Sequence, residues 1–437
     1  MVFTIILAVI TCITLIISII KFPTIKIGDK SFETFWMIAL IGALLMVATV
    51  SVPVEHLIDN LTSNSAINPI KIIFLLLSLS MLSITLDELG FFEYVATKAI
   101  KYVKNSQVKL FLIIFLMVAI LTVFTSNDIV ILTFTLFICY LARKIKINPI
   151  PYLIMEFVTA NTCSMFLIIG NPTNIYIATA FEIGFMEYFK IMFLPTLAAT
   201  LTMLFVLLLI FKKQLSEPIQ IDHLEPKPIK YKTLTIISII HLLLCTGLLA
   251  VSSYINLEMW LVTIMFAGSL TVTLLIFSII NKEKTTITNV YKRLPYSLGI
   301  FVLSMFIIIL ALDYNGITKN FAEIFDTVTD KPLLGTFIYG FASSIFDNLI
   351  NNIPMSLFFT SIISSANNNN MLYIFSTIIG SNIGAFLTPI GALAGMMWMH
   401  ILKKQKVDFS FLNFTKYGLE LSVPILVTSL LTLWLIL

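Results

Sequence analysis

Two sets of small polar side chains stand inside otherwise apolar stretches of this 437-residue chain. The first holds Ser126, Asn127, Asp128, Asn161, Thr162, Gly170, Asn171, Thr173 and Asn174. The second holds Asp347, Asn348, Asn351, Asn352, Asn382, Thr388 and Gly391. An Asn side chain donates and accepts at once, and it brings no charge into a medium where charge is costly. Such clusters suit the binding of a small polar solute or an ion at membrane depth. Asp128, Asp347 and Glu156 add carboxyls, which inside a membrane read as sites for a proton or a cation. These three are therefore candidate proton relays. Structural roles compete with these. Amides staple helices together or end them, Asp128 and Asp347 suit the N-terminus of a half-helix, and Glu156 can snorkel to a nearby face.

Other chemistry is narrower. The four cysteines (Cys12, Cys139, Cys163, Cys245) lie in apolar segments without metal-ligand spacing, so no metal site is expected. Cys163 alone stands close to the amides, two residues after Asn161. His241 suits a helix contact, and Asp87 and Asp313, each followed by a glycine at Gly90 and Gly316, suit helix ends. Lys190 and Lys416 suit anchors of span ends at the interface. No phosphate-cradling loop of the ATPase type is present, so the chain is not expected to hydrolyse ATP itself. The polar residues gather at mid-membrane and not at one face, which argues against a membrane enzyme. No cofactor is expected, and the coupling ion is H+ or Na+.

The elements that position these groups follow from hydropathy. The chain is 59% hydrophobic and 11% charged, with mean hydropathy +1.01, whereas soluble domains carry about 25% charged residues. Its apolar blocks have the roughly 18–25 residues that cross a bilayer core. Spans read at 3–20, 35–53, 71–92, 188–211, 233–252, 258–280, 296–314 and 416–437. The first is expected to be a retained span, since no basic region precedes it and no small-residue cleavage site follows it. Residues 108–146 and 333–365 have polar centres in apolar runs and suit re-entrant hairpins, whose tips are tolerated only against protein or a cavity. Residues 150–177 and 372–398 are long enough to cross but are broken at 170–174 (GNPTN) and 388–391 (TPIG). Lys and Arg collect in 21–34, 93–109, 212–232, 281–295 and 403–406, while 54–70 and 178–187 carry none. By the positive-inside rule the basic set is cytoplasmic. Ten crossings with both termini outside satisfy that alternation if the hairpins do not cross. Loop 315–333, with Lys319 and Lys331, is then external.

The halves match. At an offset of 221, Asn127 pairs with Asn348, Asn161 with Asn382 and Gly170 with Gly391; at 226, Leu86, Asp87 and Gly90 pair with Leu312, Asp313 and Gly316. Each half runs three spans, hairpin, broken span, final span. Five crossings per half invert the second half, the inverted-topology repeat of secondary transporters. The fold expected is thus an all-α integral membrane protein of about ten transmembrane helices in two inverted repeats. The first is 1–211 (hairpin 108–146, broken helix 150–177), a cytoplasmic linker is 212–232, and the second is 233–437 (hairpin 333–365, broken helix 372–398). Half-helix N-termini at the breaks suit anions and unwound carbonyls suit cations.

Residues 86–92 (LDELGFF), 126–128 (SND), 171–174 (NPTN), 351–354 (NNIP), 380–384 (GSNIG) and 387–394 (LTPIGALA), with Trp398 and His400, resemble the ion transporter superfamily. Within it the chain is similar to bacterial arsenite permeases (arsenical pump membrane proteins), nearly end to end. The resemblance implies efflux of arsenite or antimonite against protons, in some cases with a separate ATPase subunit. Superfamily relatives carry dicarboxylates or citrate with sodium, or exchange sodium for protons. Asn161 and Asn382 stand where arsenite permeases often carry Asp, Ala385 stands where they carry Pro, and 170–174 departs from their pattern. These changes favour a small-anion carrier as the alternative, with a sodium/proton antiporter next and a membrane enzyme as the competing class. Expected partners are the small polar solute or anion, the lipid bilayer, a second copy of the chain and the ATPase subunit, and no nucleic acid. The expected location is the bacterial plasma (inner) membrane.

Overall fold

The computed structural model describes residues 1–437 apart from 23, 28–29, 64–67, 101–102, 104–105, 220–228, 328–329 and 367–369, and apart from the side chains of 20, 26–27 and 30–31. Lys101, Lys104, Lys227 and residues 220–228 of the linker therefore lie outside the described residues, as do the Lys26 and Lys30 side chains.

The chain is helical almost throughout. Three helices open it, α1 (Val2–Lys21), α2 (Phe35–Ala48) and, after a short α3 (Val54–Thr62), α4 (Pro69–Glu88). A short α5 (Phe91–Ile100) leads to a helical pair, α6 (Gln107–Phe124) and α7 (Asn127–Ile145). An interrupted segment follows, α8 (Ile150–Cys163) and α9 (Pro172–Ala180), then the long α10 (Phe185–Ile210) and the single turn α11 (Lys212–Leu215). The same order recurs. Three helices are α12 (Lys232–Ser252), α13 (Met259–Ile280) and, after α14 (Thr285–Arg293), α15 (Tyr296–Tyr314). A short α16 (Ile317–Asp326) leads to the pair α17 (Pro332–Ile350) and α18 (Asn352–Ser365). The interrupted segment α19 (Met371–Gly384) and α20 (Leu393–Lys404) precedes the long α21 (Phe411–Ile436). Packing is reciprocal between the halves. Helix α2 packs on α15 as α4 packs on α13, α7 packs on α20 as α18 packs on α9, and α10 lies against α21.

One element was not expected. Residues Thr24–Ile27 and Lys30–Glu33 pair as antiparallel strands β1 and β2, with Thr24 opposite Glu33. The alternating TIKI run around a Gly28-Asp29 dipeptide is a hairpin signal that a hydropathy reading passes over.

Among the described residues nine helices are long and apolar enough to cross a membrane: α1, α4, α6, α10, α12, α13, α15, α17 and α21. The difference from ten arises at five elements: α6 and α17 join the count, and α2 and the two interrupted segments, α8–α9 and α19–α20, leave it. The first arms α6 and α17, with 18 and 19 residues, reach about 27 Å and match spans in length. Helices α2 and α19 have 14 residues each and are shorter than expected. Length alone does not decide where the pairs turn. Their turns end inside protein, since Thr125, Asn127, Asn351 and Asn352 are all buried.

The loops segregate onto two faces. On one, Ser297 donates to Glu33 (2.8 Å), Lys230 and Arg293 pair with Glu88 (3.4 Å each), Arg293 also pairs with Asp87, and Arg143 donates to Gln405 (2.6 Å). On the other, Asn315 Nδ2 donates to Ser51 O (2.8 Å), the N-terminal ammonium donates to Asn315 Oδ1 (3.1 Å), and Lys71 pairs with Glu258 (2.6 Å). The Lys71 ammonium, hydrogen-bonded to Glu258, holds that carboxyl below the usual carboxylate range. The first face is the basic set of the sequence, and the second is the set poor in Lys and Arg. In a background without native cysteines, Lys282→Cys and Lys404→Cys should react with an impermeant thiol reagent from one side of the membrane. Asp59→Cys and Glu182→Cys, all four positions being exposed, should react from the other. Opposite sidedness of Lys282→Cys and Lys404→Cys would contradict the segregation.

Candidate functional site

Both interrupted segments stop for local reasons. Helix α8 gives way after Cys163 to two 3-10 turns, Ser164–Phe166 and Ile168–Gly170. Asn171 then caps α9 by accepting from Thr173 N (3.2 Å), with Pro172 at the first helical position. The chain doubles back so tightly that a Cβ at Gly170 would run into the Ser164 carbonyl. The second break is built alike. Helix α19 ends at Gly384, turns through 385–392, and restarts after Ala392. A Cβ at Gly391 would meet Gly384 O and Asn348 Oδ1. The two glycines matched in sequence thus share one steric role.

The breaks are joined by one amide. Asn382 Oδ1 accepts from Ser164 Oγ (2.9 Å) and Asn171 Nδ2 (3.0 Å), and its Nδ2 donates to Asn174 Oδ1 (2.6 Å) and Ile378 O (2.8 Å). Every valence of that side chain is used, and three of its four partners come from the first half. Asn174 Nδ2 in turn donates to Ser164 O (2.9 Å). Asn161, matched to it in the sequence, is less engaged: Nδ2 donates to Phe157 O (2.9 Å) and Oδ1 accepts from Asn127 Nδ2 (3.2 Å).

The helical pairs deliver their tips to these breaks. Asn127 opens α7 and reaches Asn161. On the other side Asn348 accepts from Thr388 N (3.0 Å) and Thr388 Oγ1 (2.6 Å) and donates to Ser344 O and Gly384 O (2.9 and 3.0 Å). Asn351 Nδ2 donates to Ile390 O (3.2 Å), and Asn352 N–H donates to Gly391 O (3.1 Å). Asn351 sits at φ 76°, ψ 154°, a region nearly reserved for glycine. Two sequence expectations change here. Asp347 and Asn348 lie in the last turn of α17, before the tip, so Asp347 is not a helix N-terminal cap. By position at the turn, Asn127 corresponds to Asn352 and not to Asn348. The offset of 221 holds through the breaks and shifts at the hairpins.

The carboxyls have unlike settings. Asp347 is fully buried, and neither of its oxygens has a hydrogen-bond partner among the described residues. Glu156 is fully buried too, so it does not snorkel; Trp398 Nε1–H donates to it at 3.2 Å. Asp128, in the first turn of α7, is half-buried and lines a cavity of about 630 Å³. That cavity is walled by Ser126, Ile169, Pro172 and Ile175 at one end and by Glu33, Lys292, Arg293, His400 and Lys404 at the other. It leads from the basic face to the first hairpin tip and the first break. Asn127 Oδ1, Thr162 Oγ1, Thr173 Oγ1 and Asn351 Oδ1 are buried without a partner among the described residues. Such groups are costly unless something else meets them. The arrangement therefore offers hydrogen bonds, and no ammonium or guanidinium at its floor.

Other candidates fall outside this cluster. Cys163 Sγ stands 3.7 Å from Thr200 Oγ1, turned toward α10. His241 contacts Ile237 O (2.8 Å) and Ser269 Oγ (3.1 Å) as a helix contact. Asp87 and Asp313 end α4 and α15, with Gly90 N–H and Gly316 N–H donating to their carbonyls (2.9 and 2.8 Å). Asp87 also accepts from Thr133 Oγ1 of α7 (2.9 Å). The sequence reading missed Ser164, which binds Asn382, and Thr135, which faces Glu156. Ser164's only local signal is its place three residues after Asn161.

Comparison with known proteins agrees with this architecture. A family model described as Citrate transporter (CitMHS) matches residues 33–372. The arsenical pump membrane protein of Yersinia enterocolitica is 26% identical over 436 residues, covering 96% of each chain. The putative arsenical pump membrane protein of Bacillus subtilis (strain 168) is 27% identical over 384 residues, 82% of this chain and 85% of that one. The crystal structure of the Alcanivorax borkumensis YdaH transporter shares the fold at TM-score 0.51 and 11% identity, over 99% of this chain and 98% of that one.

The uneven bonding of the two paired amides has a measurable consequence. Asn382→Ala strands the buried Asn171 Nδ2 and Asn174 Oδ1, at about 1–3 kcal/mol each. It should lower the unfolding temperature in detergent well below that of Asn127→Ala, which strands Asn161 Oδ1 alone. Equal stability of the two variants would show that Asn382 is not the tie between the halves.

Proposed function

The chain belongs to the citrate transporter family and is a membrane transporter, not an enzyme, and on this footing we propose that it is a secondary active permease exporting arsenite or antimonite by alternating access. The observation that carries the reading is the cavity from the basic face, whose floor is Ser126, Asp128 and the break at Pro172. Arsenite at neutral pH is uncharged As(OH)₃, which needs hydrogen-bond donors and acceptors and no counter-ion. Ser126 and Asp128 meet it in the cavity; Asn127, Asn161, Thr162 and Thr173 stand behind them. Full-length similarity to proteins named arsenical pump membrane protein supports the same substrate. Placing the basic face in the cytoplasm by the positive-inside rule makes this the inward-open, loading state of an exporter in the bacterial inner membrane.

The recurring order of elements and their reciprocal packing support an inverted-topology repeat, 1–211 and 233–437 about the linker 212–232. In that scaffold the two hairpins and two interrupted segments form the moving unit. The second hairpin's Asp347, Asn348, Asn351, Asn352, Thr388 and Gly391 make the matching half-site, reached when the opposite face opens.

One observation favours a second reading. Lys292, Arg293 and Lys404 ring the cavity mouth, a field that concentrates anions and would suit a small carboxylate carried with H+ or Na+. The readings separate in cells lacking their own arsenite exporter. Expression of the chain should lower arsenite accumulation several-fold, and Asp128→Asn should abolish that effect while leaving the protein in the membrane. Unchanged arsenite accumulation together with labelled citrate uptake by proteoliposomes would replace the first reading with the second.

A further inference from the structure

Resting on the transporter reading above, we propose that Glu156 is the proton-carrying residue of this protein, held as a neutral carboxylic acid in the conformation described. The case is one of hydrogen-bond completeness. Glu156 is fully buried on α8, and two groups reach its carboxyl. Trp398 Nε1–H of α20 donates to Oε2 at 3.2 Å, and an indole nitrogen is only a donor. Thr135 Oγ1 of α7 stands 3.3 Å from both Oε1 and Oε2. A hydroxyl has one hydrogen, and that of Thr135 has a nearer acceptor in Ile131 O at 2.6 Å. What Thr135 turns to Glu156 is therefore a lone pair. An ionised carboxylate only accepts and would set oxygen against oxygen there. A protonated carboxyl donates to Thr135 and still accepts from Trp398, so every group is satisfied by adding one proton, taken from and returned to water.

Among the described residues no ammonium or guanidinium pairs with Glu156 in place of that proton. Cys139, one turn beyond Thr135 on α7, is the titratable group beside it, and Arg143 follows farther along the same helix. Helix α20 carries His400, Lys403 and Lys404 beyond Trp398, toward the basic face. Lys109 of α6, Glu187 and Lys190 of α10, and Lys416 and Glu420 of α21 are all exposed, and α19 has no charged side chain. Asp128 differs because it lines the cavity, and Asp347 because no described residue donates to it.

The three elements meeting at Glu156 are those that transport must move against one another: the second arm of the first hairpin (α7), the first part of its interrupted segment (α8) and the restarted part of the other segment (α20). Glu156 also lies five residues before Asn161, on the same helix as the amide that holds the hairpin tip. Loss of the proton turns a three-way hydrogen-bonded joint into a repulsive contact with Thr135, so protonation and the seating of α7 are linked.

Infrared difference spectroscopy of purified protein in liposomes, without substrate, tests this directly. Wild type minus Glu156→Gln at pH 7 should contain a protonated carboxyl carbonyl band that shifts in D₂O. A pair of carboxylate bands there instead would overturn the proposal. Thr135→Val, which removes the acceptor but keeps the acid, should move the band to higher wavenumber; an unmoved band would also overturn it, even if Glu156→Gln did not fold. Arsenite efflux by Glu156→Gln should lose the pH dependence of wild type. If wild type moves no arsenite while the band and its shift are present, the substrate reading fails and the proton site stands.

Discussion

Backbone and side-chain polar groups released by a broken helix have no water to turn to inside a membrane, and this need organises the protein. Each interruption frees several such groups. The solution is mutual: the first break is satisfied largely by Asn382, a residue of the second interrupted segment, and the second break by Asn348, in the last turn before its own hairpin's tip, and by the tip residues Asn351 and Asn352. Neither half is complete alone. The pairing of α7 with α20 and of α18 with α9 follows from the same need, because each hairpin arm covers the restarted helix of the opposite half.

The bonding is not symmetric, and the asymmetry matches the cavity. On the first side the tip is loosely held, with Asn127 making one side-chain bond among the described residues and none through its oxygen, and the cavity arrives there. On the second side Asn348 is bonded four times and the tip is locked against residues 384–391. One tip faces the cavity while the other is sealed, the division that the proposed alternating access requires.

The sequence made the repeated order of elements readable because hydropathy, Pro and Gly are local signals. The breaks at 170–174 and 388–391 were visible for that reason, and so were the polar tips. Partners were not visible. Asn171 finds Asn382 across 211 residues, and Trp398 finds Glu156 across 242. Nothing within a window of either residue says that Asn382 is saturated or that Glu156 is too deep to snorkel. The offset that pairs Asn127 with Asn348 fails for a related reason. Hairpin turns absorb insertions cheaply, whereas a break packed around a glycine does not. The β1–β2 hairpin was missed because its alternation is short and lies outside the apolar blocks.

The backbone of Asn351 has a consequence for which face the protein prefers to present. Holding a non-glycine residue in that conformation costs about 1–3 kcal/mol, met here by the contacts of Asn351 and Asn352 with Ile390 and Gly391. The second tip is thus a cocked spring. In the alternating access proposed above, parting the tip from that segment gives up those contacts and the strain together, so the strain offsets the population cost of the lost contacts by roughly 5- to 150-fold, the equivalent of that energy. The second tip is therefore cheaper to unseat than its hydrogen bonds alone would make it.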